Sequence, residues 1–252
     1  MSENLTLGAD VEVFVGNNGS PVSVEGMIGG SKNRPLPVPQ GNLQEDNVMA
    51  EFAIDPVSTE EDWIDNIQRV YRELQNQINE TLIVPSVSFP EDQLQSRQAR
   101  HFGCDPDFDV WELMMNEIDA SVFGNIRTCG GHIHIGCGHK QDDEIIRIIK
   151  NMDLFLGVPS VLLDNDSRRR TFYGAGKFRI KNYGLEYRSL SNFWIQTPEL
   201  MRWAYNQTHR AYGNAQAGFE PPSEIQAVIN ESDTEAAQSF VRDFDLGVPG
   251  VA

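Results

Sequence analysis

The sequence has few cysteines, few basic residues and no long hydrophobic run. Its most apolar segment, LFLGVPSVLL at 154–163, spans ten residues between two aspartates. A membrane-spanning helix needs roughly 20 residues, so this segment predicts buried core. The N-terminal residues MSENLTLGAD carry neither a basic nor an apolar signal region, and no secretory signal peptide is expected. Three cysteines without framework spacing favour free thiols in a reducing cytoplasm.

Basic residues are also outnumbered, 20 against 37 acidic ones, which gives a net charge of -17. A surface this acidic repels phosphate backbones and anionic lipids, so neither nucleic acid nor a membrane is an expected partner. A chain of 252 residues, 40% of them hydrophobic, can bury a substantial core. The sequence predicts one domain over 1–252, with acidic C-terminal helices at about 223–245 as an appendage.

Hydrophobic periodicity indicates an α+β fold with a mainly antiparallel sheet. In the first predicted strand, valines alternate with Asp10 and Glu12. A Ser58–Glu61 capping box opens the clearest helix. The predicted strands are 7–15, its hairpin partner in 21–30, 48–55, 130–136 and a pair within 178–190. The predicted helices are 58–80, 141–156 and one that starts at Thr197.

Acidic residues accompany the first strands in a pattern that suggests cation binding. Asp10 and Glu12 share one strand face, about 7 Å apart at ~3.3 Å per residue. A second strand-like segment, LQEDNVMAEF at 43–52, carries Glu45, Asp46 and Glu51. Carboxylates crowded in this way repel one another unless a cation intervenes. A solvated sheet face is the alternative for either strand alone.

The segment CGGHIHIGCGH at 129–139 places His132 and His134 on one strand face. A structural zinc site is disfavoured because Cys137 would lie on the opposite, isoleucine face. The glycines in this strand predict close approach of backbone or ligand where a Cβ would interfere.

A basic segment at 167–190 interrupts the acidic chain. It contains one acidic residue, Glu186. Concentrated guanidinium groups suit carboxylate and phosphate binding, and hard oxygen ligands beside them are typical of a magnesium–nucleotide site. Its basic residues are Arg168, Arg169, Arg170, Lys177, Arg179, Lys181 and Arg188.

Four motifs in order, GADVEVF, EDNVMAEF, GGHIHIG and GLEYRSLSNFW, resemble the glutamine synthetase / glutamate–cysteine ligase superfamily of carboxylate–amine ligases. They are most similar to its compact phage-type branch, the COOH·NH2 ligase type 2 family. The resemblance runs from about residue 7 to residue 195. It implies a glutamine-synthetase-like half-barrel or funnel, with helices on the outer face of the sheet.

The resemblance also implies a reaction and a site. ATP phosphorylates a small-molecule or peptide carboxylate, and an amine then attacks the acyl phosphate to form an amide. Two or more Mg²⁺ ions, or Mn²⁺, would assist this reaction. The expected compartment is the cytoplasm, or the host cytoplasm if a phage encodes the chain. An oligomer is compatible with this fold. The implied metal sites are Glu12, Asp46 and Glu51 for the first ion and Asp10, His132 and Glu186 for the second. The implied catalytic residues are His134, Arg179 and Arg188. The implied nucleotide ligands are Arg168, Arg169, Arg170 and Lys177.

Two other functions fit the same residues. One is a metal-dependent hydrolase that activates water with His132, His134 and a carboxylate. The other is a non-catalytic protein on a ligase scaffold. Asp10 departs from the superfamily pattern, where glutamate is usual, and its shorter side chain would move or weaken the second metal site.

Overall fold

The computed structural model describes residues 5–100, 107–116, 124–166 and 172–250. Within these residues the chain forms a large antiparallel sheet and a layer of helices. The strands are β1 (Thr6–Asn17), β2 (Ser20–Val22), β3 (Leu36–Val38), β4 (Gly41–Asp46), β5 (Met49–Ile54), β6 (Thr81–Leu82), β7 (Ser86–Ser88), β8 (Asp107–Asp109), β9 (Met114–Asn116), β10 (Ile126–Thr128), β11 (Gly131–Gly136), β12 (Lys177–Lys181) and β13 (Gly184–Tyr187). The helices are α1 (Glu60–Gln77), α2 (Arg97–Arg100), α3 (Asp142–Met152), α4 (Val158–Leu163), α5 (Pro198–Gln216), α6 (Glu224–Glu231) and α7 (Thr234–Asp243).

Eleven strands of the described residues belong to one sheet, in the order β3-β4-β5-β1-β11-β13-β12-β8-β9, and β2 and β6 also pair with β1. The sheet is not closed, since β3 and β9 lie at its two edges. β7 and β10 form a separate two-stranded sheet. Every pairing between these strands is antiparallel, which confirms the predicted mixed fold with an antiparallel sheet.

The two faces of the central strands differ in chemistry because side chains alternate along a strand. On β1, Val11 and Val13 are fully buried in the main core, together with Phe52 of β5 and Ile133 of β11. Their neighbours on the other face include Asp10, which pairs across the strands with His132. The sheet therefore has one apolar face and one face rich in ionisable groups.

Helix α1 packs against the apolar face through a stripe at helical spacing. Trp63, Ile67, Val70 and Leu74 are buried, and the Trp63 ring stacks on Trp194 with centroids 5.5 Å apart. The predicted cap was wrong by one residue, since the side chain of Thr59 accepts the hydrogen bond from the Asp62 amide. Thr59 and Asp62 have the same three-residue spacing as Ser58 and Glu61, so the pattern alone did not distinguish the pairs.

Two other sequence predictions differ from the structure. The helix predicted at 141–156 continues through a π-helical turn, Asp153–Gly157, into α4. Pro159 lies just after this π-helical turn, next to the first residue of α4. The predicted hairpin strand at 21–30 is shortened to β2. Beyond it the carboxylate of Glu45 accepts hydrogen bonds from the amides of Gly26, Ile28 and Gly29 and bends the chain into a loop.

The C-terminal helices contribute to the same core as the sheet. Ile225, Val228 and Ile229 of α6 and Ala237 of α7 are buried in it. The side chain of Asn230 accepts a hydrogen bond from the Ala175 amide at 2.8 Å, so α6 also supports the backbone that leads into β12. Among the described residues, no helix has both the length and the hydrophobicity that crossing a membrane requires.

Candidate functional site

The register of the central strands brings ionisable side chains from distant parts of the sequence onto one face. Glu12 of β1 lies opposite Glu51 of β5, and Asp10 lies opposite His132 of β11. Two residues further along β11, His134 lies opposite Glu186 of β13. Because directly paired residues point to the same side of a sheet, these side chains line one continuous surface.

A first acidic cluster consists of Glu12, Asp46 and Glu51, each offering a carboxylate oxygen within 4.8 Å of the others. Hydrogen bonds fix two of them. The Gly130 amide donates to Oε2 of Glu12 at 2.6 Å, and the Gln44 side chain donates to Oε1 of Glu51 at 2.7 Å. Three strands thus hold three carboxylates around one point.

Burial and mutual repulsion make these carboxylates poor anions in the absence of a cation. Burial, opposed by His132 and reinforced by Asp46, raises the pKa of Glu12 to about 7. Burial, followed by the charges of Asp10, Glu12 and Asp46, raises the pKa of Glu51 well above its usual value. Burial also raises the pKa of Asp46, although the nearby Lys32 opposes it. A divalent cation would remove this cost of ionisation.

A second cluster consists of Asp10, His134 and Glu186, whose ligand atoms also lie within 4.8 Å of one another. Nε2 of His134 is 3.1 Å from Oδ2 of Asp10. Burial acts to raise the pKa of Asp10, but His134 and His132 outweigh it and hold that pKa well below the usual value. Burial alone would lower the pKa of His134, but Asp10 outweighs it and the pKa is raised.

Basic side chains surround Glu186, which is 1% exposed. Nη1 of Arg188 pairs with its Oε1, Nζ of Lys181 lies 2.6 Å from its Oε2, and Nη1 of Arg179 lies 3.9 Å from its Oε1. Burial and Asp10 oppose ionisation of Glu186, but the guanidinium of Arg188 and the histidines lower its pKa to about 2. Glu186 is therefore an anion that belongs to the second cluster and also pairs with a basic wall, formed by Arg179, Lys181 and Arg188.

The structure brings both histidines next to Asp10 and Glu186. His134, which the resemblance implies as a catalytic residue, has a ring nitrogen in the second cluster. His132 lies beside that cluster, with Nδ1 2.8 Å from Asp10 and 3.6 Å from Glu186. A Cβ on Gly130 would overlap the His132 imidazole, so the group that approaches this glycine is a side chain, where the sequence predicted backbone or ligand.

Not every predicted site residue can be placed in the site. Arg168, Arg169 and Arg170 lie outside the described residues. Lys177 is on the polar face, but its ammonium pairs with Asp109 of β8 at 2.9 Å. The ligand groups of both clusters consist of carboxylates and one imidazole, without cysteine.

Sequence reasoning missed several neighbours of the clusters. Tyr183 stacks on His134 and its hydroxyl lies 2.7 Å from Nδ1. Asp107 lies 3.4 Å from Nε of Arg188, and Gln44 holds Glu51. The Gln44–Glu51 pair follows from pairing the acidic strands, but the short β8 strand that carries Asp107 had no periodicity to reveal it.

The donor set fits magnesium better than zinc. Mg²⁺ prefers hard oxygen ligands, and five carboxylates come from β1, β4, β5 and β13. Zinc sites usually combine imidazole and thiolate, and the buried Cys137 belongs instead to the apolar core. The two clusters can therefore hold oxygen-coordinated divalent cations beside basic groups that suit a carboxylate or phosphate.

Residues 120–220 match the family model described as "Phage phiEco32-like COOH.NH2 ligase-type 2". The match covers less than half of the chain. The matched segment includes β11, β12 and β13, and hence His132, His134, Arg179, Glu186 and Arg188. The strands that carry Asp10, Glu12, Asp46 and Glu51 precede it.

Among solved structures, the chain is similar to a bifunctional glutathione synthetase from Pasteurella multocida, with a TM-score of 0.47 and 12% identity. The similarity covers 97% of this chain and 44% of that chain, so this chain spans less than half the length of that protein. No curated protein sequence matches this chain significantly.

Proposed function

We propose that the protein is an ATP- and Mg²⁺-dependent carboxylate–amine ligase of the glutamine synthetase / glutamate–cysteine ligase type, with the half-barrel sheet of that superfamily. The observation that carries the proposal is the pairing of two carboxylate clusters with a basic wall on one sheet face. The family match over 120–220 supports the reaction class.

Glu12, Asp46 and Glu51 would hold one Mg²⁺, and Asp10, His134 and Glu186 a second. When bound, these ions supply charge that offsets repulsion between the nucleotide and an anionic substrate. The chain's own basic residues would bind the substrate and the nucleotide. Arg179, Lys181 and Arg188 bind and orient carboxylate or phosphate oxygens, and the largely buried guanidinium of Arg188 acts with little screening by water.

The proposed reaction has two balanced steps. A carboxylate oxygen of the acid attacks the γ-phosphorus of ATP, and ADP leaves. The amine nitrogen then attacks the acyl carbon, phosphate leaves, and the nitrogen loses a proton as the amide forms. The first step is needed because oxide is a very poor leaving group, whereas phosphate is a good one. Small molecules or peptides are the proposed substrates, and a reducing cytoplasm is the proposed compartment, in keeping with the free thiols of Cys129 and Cys137.

A screen of carboxylate and amine pairs tests this function. ADP release that requires both substrates, accompanied by a new amide in the mass spectrum, is the expected result. Substrate hydrolysis without nucleotide would identify the hydrolase instead, and failure to bind ATP at millimolar Mg²⁺ would favour the non-catalytic scaffold.

The best loss-of-function variant is Glu12→Gln. It removes one charge from a cluster whose members repel one another, and the Gln side-chain oxygen can still accept from Gly130. Turnover is expected to fall at least 100-fold with no loss of folding. Removing one group that stabilises charge in a transition state costs about 10²–10³-fold in turnover. Glu186→Gln is less informative because it would leave three basic groups around a neutral side chain. Asp65→Asn, an exposed change on α1, is the matched control.

A further inference from the structure

Tyr173 lies behind the first acidic cluster and is 6% exposed. Its hydroxyl is 2.8 Å from the carbonyl oxygens of both Pro85 and Cys129, and its single proton is shared between these two acceptors. Burial is the main cause that raises its pKa well above the usual value, so the hydroxyl keeps its proton. Tyr173 is thus a permanent hydrogen-bond donor directed at the backbone.

The peptide unit between Cys129 and Gly130 joins this hydroxyl to Glu12. Its carbonyl oxygen accepts from Tyr173, and its N–H donates to Oε2 of Glu12 at 2.6 Å. The Gly130 carbonyl in turn accepts from the Glu12 amide at 3.0 Å. Because a peptide unit is planar, fixing its carbonyl also fixes the direction of its N–H. Hydrogen bonds in such a chain also polarise one another.

We propose that Tyr173 is a positioning residue for the first cation site, acting through the Cys129–Gly130 peptide to hold one oxygen of Glu12 and leave the other for the ion. The inference rests on the proposed function, because it needs a cation at Glu12, Asp46 and Glu51. Groups that orient metal ligands from outside typically change metal affinity about 10–100-fold when they are removed.

Removal of the hydroxyl should leave the fold intact, because both carbonyl oxygens keep another donor. The Cys129 amide donates to Pro85 at 2.9 Å, and the Asn192 amide donates to Cys129 at 3.1 Å. Tyr173→Phe retains the ring and its packing. The variant therefore tests the hydrogen bond rather than the core.

The matched control is Tyr205→Phe on α5. Tyr205 is also buried, and its hydroxyl donates to a backbone carbonyl, that of Ser58, at 2.9 Å. It packs against Trp63 on the apolar side of the sheet. Loss of this hydroxyl is expected to leave Mn²⁺ binding unchanged.

The experiment is a Mn²⁺ titration followed by electron paramagnetic resonance on the wild-type protein and the variants. Glu12→Gln identifies which class of bound Mn²⁺ belongs to the first cluster. Tyr173→Phe is expected to weaken that class about tenfold and to leave the class at Asp10, His134 and Glu186 unchanged.

Two outcomes would overturn this inference and leave the proposed function standing. One is an unchanged Mn²⁺ affinity in Tyr173→Phe while Glu12→Gln loses one class of bound Mn²⁺. The other is equal weakening of both Mn²⁺ classes in Tyr173→Phe, with a lowered melting temperature. If the wild-type protein binds no Mn²⁺, or if Glu12→Gln loses none, the proposed cation site fails and the inference fails with it.

Discussion

Glu12 and Glu51 lie directly opposite each other on neighbouring antiparallel strands. Like charges in that position destabilise a sheet, and here both are also buried. The raised pKa of each carboxyl shows that the metal-free protein tolerates the pair most easily when protons are bound. Such a pair of buried acids does not stabilise the sheet, which motivates the proposed cation site.

Glu51→Gln should stabilise the metal-free protein, because a neutral amide avoids the cost of burying an ionisable carboxyl opposite Glu12 and leaves a side chain that Gln44 can still contact. We expect a gain of about 1 kcal/mol, seen as a melting temperature in chelator raised by about 2–4 °C. The stabilisation that the wild-type protein gains from Mn²⁺ should largely disappear. Destabilisation in chelator, with Asp65→Asn unchanged, would contradict the account of this cluster.

The stability of the metal-free protein should fall as pH rises from about 4.5 to about 7. Glu12 has a usual pKa of 4.5 and a folded-state pKa of about 7, so in this interval the folded state binds more protons than the unfolded state. Each increase in pH across this interval therefore favours unfolding, so the slope of stability against pH is negative. Urea melts in chelator measure the slope, and Glu12→Gln should flatten it. An unchanged slope in that variant would exclude Glu12 as its source.

Gly130→Ala should disturb the site through sterics alone. The new Cβ would overlap the His132 imidazole, and overpacking of this kind costs about 1–3 kcal/mol. Gly213→Ala on α5 is the contrast, because its Cβ would meet no atom within 4 Å. That change should stabilise the protein by about 0.5–1 kcal/mol. Thermal unfolding of both variants measures the difference, and equal effects would show that His132 can move aside freely.

Arg188→Lys should lower turnover by about 10²–10³-fold. One guanidinium contacts Glu186, Asp107 and His132, and an ammonium cannot reproduce this fork of donors. Arg202→Lys is the control, since Arg202 is also ion-paired, to Glu60, but half exposed and on α5. ADP release with the substrate pair from the screen is the readout. A variant Arg188→Lys as active as Arg202→Lys would remove Arg188 from the mechanism.

Much of this site could be predicted because alternation along a strand is a local property. The faces of Asp10, Glu12, His132 and His134 follow from a period of two, and their mutual proximity requires only that the strands pair. Register was not predictable in that way. The sequence alone did not show which of His132 and His134 lies directly opposite Glu186, because both lie on the same face of β11.

Long-range contacts from short or irregular segments were also not predictable. Tyr173 reaches Cys129 across 44 residues, and Asp107 reaches Arg188 from a three-residue strand. The Ser58 cap was wrong because Thr59 offers the same chemistry one residue later. Periodicity therefore identified the side chains of the two clusters, whereas their supporting residues required tertiary structure.

The most direct test of the two cation sites is anomalous diffraction from crystals equilibrated with Mn²⁺. We expect one peak among the carboxylates of Glu12, Asp46 and Glu51 and a second beside Asp10, His134 and Glu186. Well-ordered side chains at both clusters, without an anomalous peak at either one under saturating Mn²⁺, would contradict it.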